Sequence, residues 1–356
     1  MEKRMMKASI LQSPGVFTYE EVEIPEISAD DVLIQAAYVG ICGSDLPRAN
    51  AENGARMYPL ILGHEFSGTV VKIGKNVKNV KIGDEVAVAP LVYDPNSHYS
   101  KEGLYGLSDN AYIIGTGCDG AMAEYVKVPQ EHAILLPENL DLITAAGVEP
   151  AAISWHAVEK ANMKANDTVA VLGMGPIGQF AVQIAKIFGA RKVIAVDIFD
   201  DKLELAKELG ADYVINSRNV DLKLAIQQIE ELGVDIVLET AGNSITQKQA
   251  IHITRKNGRI VLVGLSHQEL SLSVEEVEQI LRSELSITGS WNSYTAPFPG
   301  SAWQGTLDQM SKGNIKFKEM ITHNISLKEV GDYLPKMYSR ELAFNKVLID
   351  IRKDMS

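Results

Sequence analysis

The sequence predicts an α/β protein of two domains, in which a β-rich domain is followed by a doubly wound parallel sheet. The 356 residues exceed what one ordinary hydrophobic core holds. The first ~150 residues read as short extended segments broken by turns, and from about residue 157 apolar strands alternate with helical patterns. We expect domains at 1–156 and 157–290, with residues 291–356 packing back onto the first domain.

The β-rich half contains segments of β-branched and apolar residues at 32–36, 68–73 and 84–88, separated by turns that contain Gly and Asn. Strands at this spacing predict a compact, barrel-like domain. Residues 93–112 differ from them because they are polar, contain Gly and Ser, and follow no sustained period. They predict a surface lobe.

The second half begins with a continuous apolar run at 169–172, which is typical of a parallel strand buried on both faces. A helical pattern follows it through Phe188, and the same alternation then continues. Further strands are predicted at 192–197, 234–239, 259–264 and 285–288, with a helix at 202–209. This succession predicts the doubly wound sheet.

Composition restricts the partners. Hydrophobic residues at 46% and charged residues at 22% are typical of a soluble globular protein. A net charge of -12, from 34 basic and 46 acidic side chains, disfavours nucleic-acid and anionic-membrane partners. No apolar run approaches the ~20 residues that span a bilayer, and residues 1–10 lack a signal-peptide core. With only Cys42 and Cys118, a disulfide framework is excluded, and we expect a cytoplasmic protein.

Residues 173–178 match G-x-G-x-x-G directly after a predicted strand and at the start of a helix. Gly173 would permit the tight turn, and Gly175 would let the backbone approach a pyrophosphate. Gly178 would bring the helix close to the strand, with Pro176 and Ile177 between the glycines. The alternative is a Gly-rich turn that serves packing alone.

Asp197 ends the next predicted strand, where it would bind the ribose hydroxyls of a dinucleotide and repel a 2′-phosphate. Ile198 and Phe199 after it supply no cation, so we expect NAD rather than NADP. Lys202 and Gly264 complete the predicted coenzyme site.

A metal site is predicted from Cys42, from His64 some twenty residues later, and from Glu149 near the end of the first domain. A thiolate, an imidazole and a carboxylate are a ligand set of catalytic zinc, which keeps one position open. Taken singly, each residue has an ordinary explanation, because a lone buried Cys is usually a small hydrophobe and His beside Glu is common. Residue 68 is Gly, so His64 and Glu65 do not begin an H-E-x-x-H motif.

Segments 42–45, 63–65, 119–125 and 173–178 resemble, in order and spacing, the zinc-containing medium-chain alcohol and polyol dehydrogenases, over essentially the whole chain. Segments 42–48, 63–68, 280–285 and 289–292 are most similar to members of that family that act on polyol phosphates. The resemblance implies a GroES-like β-barrel catalytic domain, an NAD-binding Rossmann domain, and oxidation of a secondary hydroxyl on a polyol or polyol phosphate.

The resemblance also implies zinc ligands. Cys42 and His64 would bind the ion, with Glu149 as third ligand and Glu65 either a direct ligand or held nearby. Zinc with one thiolate and one carboxylate is neutral, and a second carboxylate would make the centre anionic and a poorer Lewis acid. Exchange between Glu65 and the substrate is therefore a hypothesis.

Ser44 resembles the family's proton-relay hydroxyl, although a turn serine that caps its own backbone is the alternative. The histidine that many relatives place shortly after it is replaced by Pro47 and Arg48, which leaves the outer half of the relay open. Arg48, Trp291 and Asn292 are implied pocket residues. Arg48 would either bind a phosphate bidentately or be a surface arginine.

The family's lobe often holds a structural zinc on four cysteines, but residues 94–108 contain no cysteine. We therefore expect one catalytic zinc per chain and no structural zinc. In that lobe His98 is more readily a solvated loop histidine than a metal ligand, and Cys118 is expected to serve packing. Lys346 would reach the pyrophosphate or be a solvated lysine at a strand end.

Strand 285–289 would pair with a second copy, giving a homodimer or homotetramer. Two rival functions remain open: a zinc-free quinone or enoyl reductase on the same scaffold, and a non-enzymatic NAD-sensing protein. Unphosphorylated sorbitol and butanediol are alternative substrates.

Overall fold

The computed structural model describes residues 4–266 and 268–354, and the chain forms two compact units. The first unit contains the chain up to Glu149, Tyr294–Ser311 and the chain from Phe317 onward. The second contains Pro150–Ser293 and Lys312–Lys316. The units divide at 149/150 and 293/294, where the sequence placed boundaries at 156/157 and 290/291.

The secondary structure of the described residues follows the predicted order, with strands first and alternating strands and helices afterwards. The strands are β1 Met5–Ser13, β2 Val16–Glu23, β3 Asp31–Gly40, β4 Leu60–Ile61, β5 Glu65–Ile73, β6 Glu85–Val88, β7 Leu91–Val92, β8 Tyr112–Ile113, β9 Tyr125–Pro129, β10 Ala133–Leu135, β11 Thr168–Leu172, β12 Lys192–Asp197, β13 Tyr213–Asn216, β14 Val234–Glu239, β15 Thr254–Leu262, β16 Ser286–Gly289, β17 Ile321–Ile325 and β18 Lys346–Asp350. The α-helices are α1 Asp45–Asn50, α2 His98–Lys101, α3 Leu142–Ala145, α4 Val148–Lys160, α5 Pro176–Ile187, α6 Asp200–Glu208, α7 Leu222–Ile229, α8 Ser244–Ile253, α9 Val274–Arg282, α10 Ser301–Ser311 and α11 Val330–Tyr338. Short 3₁₀ turns lie at Tyr105–Leu107, Gln130–His132, Lys318–Met320, Leu327–Glu329 and Ile351–Asp354.

The first unit is built around a seven-stranded sheet in the order β10-β6-β5-β3-β18-β17, with β9 also pairing with β3. The central strand β3 contributes Val32, Ile34 and Val39 to the hydrophobic core. Strand β18 runs antiparallel to β3 and parallel to β17, so the carboxyl-terminal part of the chain supplies an interior strand. All five residues of β18 are buried as a result.

The second unit holds a six-stranded parallel sheet in the order β13-β12-β11-β14-β15-β16. All five residues of β11 are buried, as the apolar run of the sequence predicted. From β11 the chain proceeds to β12 on one side and returns to β14 on the other, and ligands of such sheets bind at this switch point. The predicted doubly wound sheet is confirmed.

One edge of the parallel sheet is open in the described part of the chain. Strand β16 pairs only with β15, and all four of its residues are exposed. Helix α9 begins with a capping box formed by Ser273 and Glu276, and its exposed side carries Val274, Val277 and Leu281, which are 75%, 51% and 69% exposed. The region around this edge therefore contains exposed apolar side chains on α9 and unpaired strand backbone on β16.

The surface lobe is held by hydrogen bonds between oxygen-bearing side chains. Ser97 Oγ donates to Asp109 Oδ2 at 2.9 Å and accepts from the Asp109 amide at 3.1 Å. Ser108 Oγ accepts from the Asp94 amide at 3.0 Å. These bonds connect the two ends of the lobe.

No helix among residues 4–266 and 268–354 has the length and apolar character needed to cross a bilayer.

Candidate active site

The predicted metal ligands lie where β3 ends and β5 begins. Cys42 follows β3 in a turn in which the Asp45 amide donates to the Cys42 carbonyl and the Cys42 amide donates to Asp45 Oδ2, both at 3.0 Å. His64 follows Gly63, which has a φ of +98° that a side chain would strain. Antiparallel pairing sets Gly40 opposite Glu65, and this register brings the two segments together.

Within the first unit, Cys42, His64 and Glu65 each offer a ligand atom, and these atoms lie within 4.8 Å of one another. It is the one group of this kind found in the described part of the chain. Glu149, at the start of α4, is not in this group, although it is close enough to interact electrostatically with His64 and Glu65. Both carboxylates therefore lie beside Cys42 and His64, with Glu65 the nearer.

The donor set fits a zinc ion. His64 is buried, and its Nδ1 atom has no hydrogen-bond partner within the described chain, with Asp45 Oδ1 at 3.5 Å. A buried imidazole without a partner costs free energy unless a ligand satisfies it. A carboxylate that orients a metal-binding histidine is a common outer partner of zinc sites. The sequence signal available for this role of Asp45 was its spacing of three residues from Cys42.

Electrostatics point the same way. Burial, then the charges of Glu65 and Asp45, raise the pKa of the Cys42 thiol. Burial, together with the charge of Glu65 and against the effect of His64, also raises the pKa of Glu149 to about 7. These groups destabilise one another as anions, and a bound divalent cation is what would stabilise them together.

Lys346 is a member of the site that the sequence did not identify. Its side chain is 1% exposed, its Nζ donates to the Ile41 carbonyl at 3.0 Å, and it forms an ion pair with Glu65. The interpretation of Lys346 as a solvated lysine at a strand end was wrong, because β18 is an interior strand and its first residue lies inside the sheet. Burial alone would lower the pKa of Lys346, but the adjacent Glu65 charge raises it overall.

Gly40 provides the space for this ion pair. A Cβ atom at that position would meet Glu65 Oε2 and would lie 2.9 Å from Lys346 Cε. A side chain at this position would therefore displace the ion pair.

Ser44 and Arg48 extend the site along α1. Ser44 Oγ donates to Cys42 Sγ at 3.3 Å. Arg48 Nη1 donates to the Ser44 carbonyl at 3.1 Å, to Ser44 Oγ at 3.3 Å and to Asp45 Oδ1 at 3.2 Å. The side chain of Arg48 is 23% exposed, so it is neither a free surface arginine nor fully enclosed.

Other predicted residues are not members of this group. Trp291 and Asn292 belong to the second unit, where Trp291 is 56% exposed and Asn292 has a φ of +55°. His98 is an exposed lobe residue whose Nε2 lies 3.2 Å from Glu102. Cys118 packs against the core of the first unit.

The dinucleotide motif lies at the switch point of the second unit. Gly173 has a φ of +97°, and a Cβ at Gly178 would collide with the Gly173 carbonyl, so both positions need glycine. A Cβ at Gly175 would meet nothing within 4 Å, and the helix behind it begins at Pro176 with no side chain capping its amides. The open amides suit a phosphate. A Cβ at Gly264 would collide with the Gly242 amide, which gives that glycine a packing role.

Asp197 faces this turn. Its Oδ2 accepts from the Met174 amide at 2.6 Å, and its Oδ1 accepts from the Ile198 amide at 2.7 Å and the Phe199 amide at 3.1 Å. Lys202, in the first turn of α6, places its Nζ 5.3 Å from the centre of the Phe199 ring.

Comparisons with known proteins identify both halves of the chain. Residues 28–138 match the family model of the alcohol dehydrogenase GroES-like domain, and residues 176–312 match that of the zinc-binding dehydrogenases.

Individual relatives cover nearly the whole chain. Galactitol 1-phosphate 5-dehydrogenase of Escherichia coli is 35% identical, with 91% of this chain and 94% of that protein covered. Its crystal structure aligns with a TM-score of 0.92 at 34% identity, over 97% of this chain and all of that one (100%). D-arabitol-phosphate dehydrogenase of Enterococcus avium is 36% identical over 94% and 95% of the two chains. Sorbitol dehydrogenase of Bacillus subtilis is 33% identical over 97% of each.

Proposed function

The chain belongs to the zinc-binding medium-chain alcohol dehydrogenases, and we propose that it oxidises a secondary hydroxyl of a polyol phosphate with NAD. Membership of this family establishes a zinc-type polyol dehydrogenase that uses a nicotinamide coenzyme. The finer assignments, namely the phosphate, the preference for NAD and a single zinc per chain, are our proposal.

One observation carries the chemistry: Cys42, His64 and Glu65 converge in the first unit, with the Ser44 hydroxyl bonded to the thiol. A zinc ion held there supplies Lewis acidity, which lowers the pKa of a substrate hydroxyl. In the proposed reaction Ser44 Oγ would receive the hydroxyl proton, and a nicotinamide coenzyme held by the second unit would supply the hydride acceptor. Arg48 cannot accept that proton because a guanidinium remains protonated, so Ser44 passes it to solvent.

The role of Glu65 follows from its ion pair. Lys346 holds one carboxylate oxygen of Glu65, which favours an arrangement in which Cys42, His64 and Glu149 bind the zinc and Glu65 stays beside it. Glu65 would then exchange with the substrate oxygen, and Lys346 would limit how long Glu65 remains a ligand.

The phosphate proposal rests on Arg48. Its Nη1 is anchored to Ser44 and Asp45, which fixes the guanidinium next to the predicted ligands. The Nε and Nη2 edge remains available for a bidentate contact with phosphate. Two of the relatives named above act on phosphorylated polyols by their names, and the third is a sorbitol dehydrogenase, so an unphosphorylated polyol is the second candidate.

We propose NAD as coenzyme because Asp197 occupies the position that binds ribose hydroxyls. We propose one zinc per chain because the lobe carries Ser97, Ser108 and Asp109 in hydrogen bonds to one another or to the backbone, where structural zinc needs thiolates.

The test is a screen of NAD⁺ reduction against galactitol 1-phosphate, arabitol phosphate, sorbitol and 2,3-butanediol. We expect the highest kcat/KM for a phosphorylated polyol, and loss of turnover after chelation that zinc restores. The Arg48→Leu variant should lose most of the preference for phosphate over the free polyol. A clear preference of the unaltered chain for sorbitol would overturn the phosphate assignment, and metal analysis showing two zinc ions per chain would overturn the single-zinc assignment.

A further inference from the structure

A small cavity in the second unit lies at the edge of the parallel sheet opposite the dinucleotide motif. It is lined by Gly233, which directly precedes β14, and by Thr254, the first residue of β15. The motif at 173–178 instead follows the carboxyl end of β11. Because the strands of this sheet are parallel, their amino ends share one edge and their carboxyl ends the other. The cavity is therefore separate from the proposed coenzyme site.

The cavity is cationic, although the protein has a net charge of -12. Of the twelve described residues that line it, three carry a fixed positive charge and none is acidic. The three are Lys223 on α7 and the neighbours Arg255 and Lys256 on β15. The cavity has a volume of about 180 Å³, which is below the roughly 300–1,000 Å³ of pockets for drug-sized ligands. Its size and charge therefore suit a small anion.

An irregularity in β15 brings the two adjacent cations to the cavity. Val234 of β14 pairs with Thr254, and Ile236 of β14 pairs with Arg259. Between these pairs β15 advances five positions, from 254 to 259, whereas β14 advances two, from 234 to 236. The extra residues form a bulge, and bulges next to functional sites redirect side chains. This bulge contains both cations of β15.

Hydrogen bonds hold the bulge in place. The Asn257 amide donates to the Ser283 carbonyl at 2.7 Å, which ties the bulge to the residue that follows α9. Arg255 Nε donates to Asp235 Oδ1 at 2.6 Å, and its Nη1 donates to the Lys256 carbonyl at 2.8 Å. Arg255 is thus paired with a carboxylate and supports the bulge. The positive charge that is available to a ligand comes from the two lysines.

The donors available in the cavity are Lys223, Lys256 and the Ser283 hydroxyl. Neither lysine forms an ion pair, and none of the three side chains forms a hydrogen bond, within residues 4–266 and 268–354. They come from α7, from the bulge of β15 and from the end of α9. His252 also lines the cavity, but its Nε2 lies 3.4 Å from Glu276. Three separate elements therefore direct unused donors to one small space.

We propose that this cavity binds a phosphate group, either as inorganic phosphate or as the phosphate of a small ester. Lysine binds phosphate as a point charge, and a serine hydroxyl adds a neutral donor. A phosphate dianion between Lys223, Lys256 and Ser283 would connect three elements of the second unit, and ligand binding to the folded state would stabilise it. The site is distinct from the zinc ligands, from Arg48 and from the dinucleotide turn, so it goes beyond the proposed function.

The test is calorimetric titration of the full chain with inorganic phosphate at low ionic strength. The Lys223→Gln/Lys256→Gln variant should bind phosphate at least about tenfold more weakly, because both charges are lost. Ser283→Ala should weaken binding by about two- to tenfold, since it removes one neutral hydrogen bond. The matched control is Lys164→Gln/Lys207→Gln, which alters two exposed lysines of the same unit outside the cavity and should leave the affinity unchanged.

Chemical modification locates the site without any substitution. Phosphate should slow the reductive methylation of Lys223 and Lys256, measured for each lysine by mass spectrometry, and should leave that of Lys164 and Lys207 unchanged. Inorganic phosphate and glycerol 3-phosphate are compared as protecting ligands. Protection by both would show that the cavity accepts a phosphate ester, and protection by inorganic phosphate alone would identify the free ion as the ligand.

Two results would overturn the proposal. One is an equal phosphate affinity of the unaltered chain and the Lys223→Gln/Lys256→Gln variant. The other is methylation of Lys223 and Lys256 at the same rate with and without phosphate. Both lysines are exposed, so their substitution should leave the fold intact, and a loss of affinity in the variant reports on the cavity.

Discussion

At the scale of single residues, the site depends on a buried ion pair that could not be predicted from the sequence. Glu65 and Lys346 are 281 positions apart, and both are almost fully buried. Lys346 had the sequence context of a strand end, where lysine is normally solvated. Only the insertion of β18 between β3 and β17 buries it, and this is information on long-range pairing that periodicity does not contain.

The Lys346→Met variant tests the strength of this pair. It leaves the Glu65 carboxylate buried without its partner, so we expect the metal-free chain to lose about 3–5 kcal/mol of unfolding free energy in urea titrations. The double variant Lys346→Met/Glu65→Gln should recover a large part of that loss. If Lys346→Met alone has the same free energy of unfolding as the unaltered chain, the buried Glu65 does not need the lysine as a partner.

The pH dependence of zinc affinity tests which carboxylate is a ligand. Because burial raises the pKa of Cys42, its thiol is protonated near neutral pH and must lose that proton to bind zinc. Affinity should therefore rise about tenfold per pH unit between pH 7 and 8 for the one proton displaced. Below the Glu149 pKa of about 7, a second proton must be displaced if Glu149 binds the ion, so the dependence should become steeper.

Glu149→Gln is the control for that experiment. In this variant the zinc affinity should keep its shallower dependence on pH below pH 7. If the pH dependence of zinc affinity in the unaltered chain does not become steeper below pH 7, then Glu65 and not Glu149 is the carboxylate ligand. Competition with a chelator of known affinity measures both curves.

At the scale of secondary-structure elements, strand and helix patterns were predictable because they are local. The apolar run of β11, the Gly-rich turn and the acidic end of β12 were identified from neighbouring residues, and the parallel sheet places them as expected. The contact of Arg218 with the Phe199 ring could not be predicted from neighbouring residues, because it arises through pairing of β12 with β13. The predicted convergence of Cys42 and His64 rested on resemblance rather than periodicity, since spacing alone gives no distance between separate loops.

If the lobe of residues 93–112 holds no metal, as we propose, its stability should not depend on zinc. Hydrogen exchange of its amides should be the same before and after chelation, because Ser97, Ser108 and Asp109 hold it. Asp109→Ala removes the acceptor of Ser97 Oγ, so it should lower the free energy of local opening by about 1 kcal/mol. Amide exchange within the lobe should therefore be faster. Faster exchange on chelation in the unaltered chain would point to a metal in the lobe.

At the scale of the whole molecule, the open edge formed by β16 and α9 predicts association of two copies. An exposed strand edge beside Val277 and Leu281 is suited to pairing with the same strand of a second chain about a two-fold axis. We expect a dimer or a larger even assembly by sedimentation. The Leu281→Asp variant should shift the mass towards the monomer, whereas Leu232→Asp, at an exposed leucine before β14, should not. A monomeric unaltered chain would contradict this expectation.

The position of β18 also has a consequence for how the protein is made. While a ribosome is still translating residues before 346, β3 and β17 lack the strand that joins them, and Glu65 has no cation beside it. The proposed zinc pocket can therefore reach its final form only after β18 has been synthesised. Nascent chains arrested upstream of this strand should bind zinc weakly, even though they already carry Cys42, His64 and Glu149.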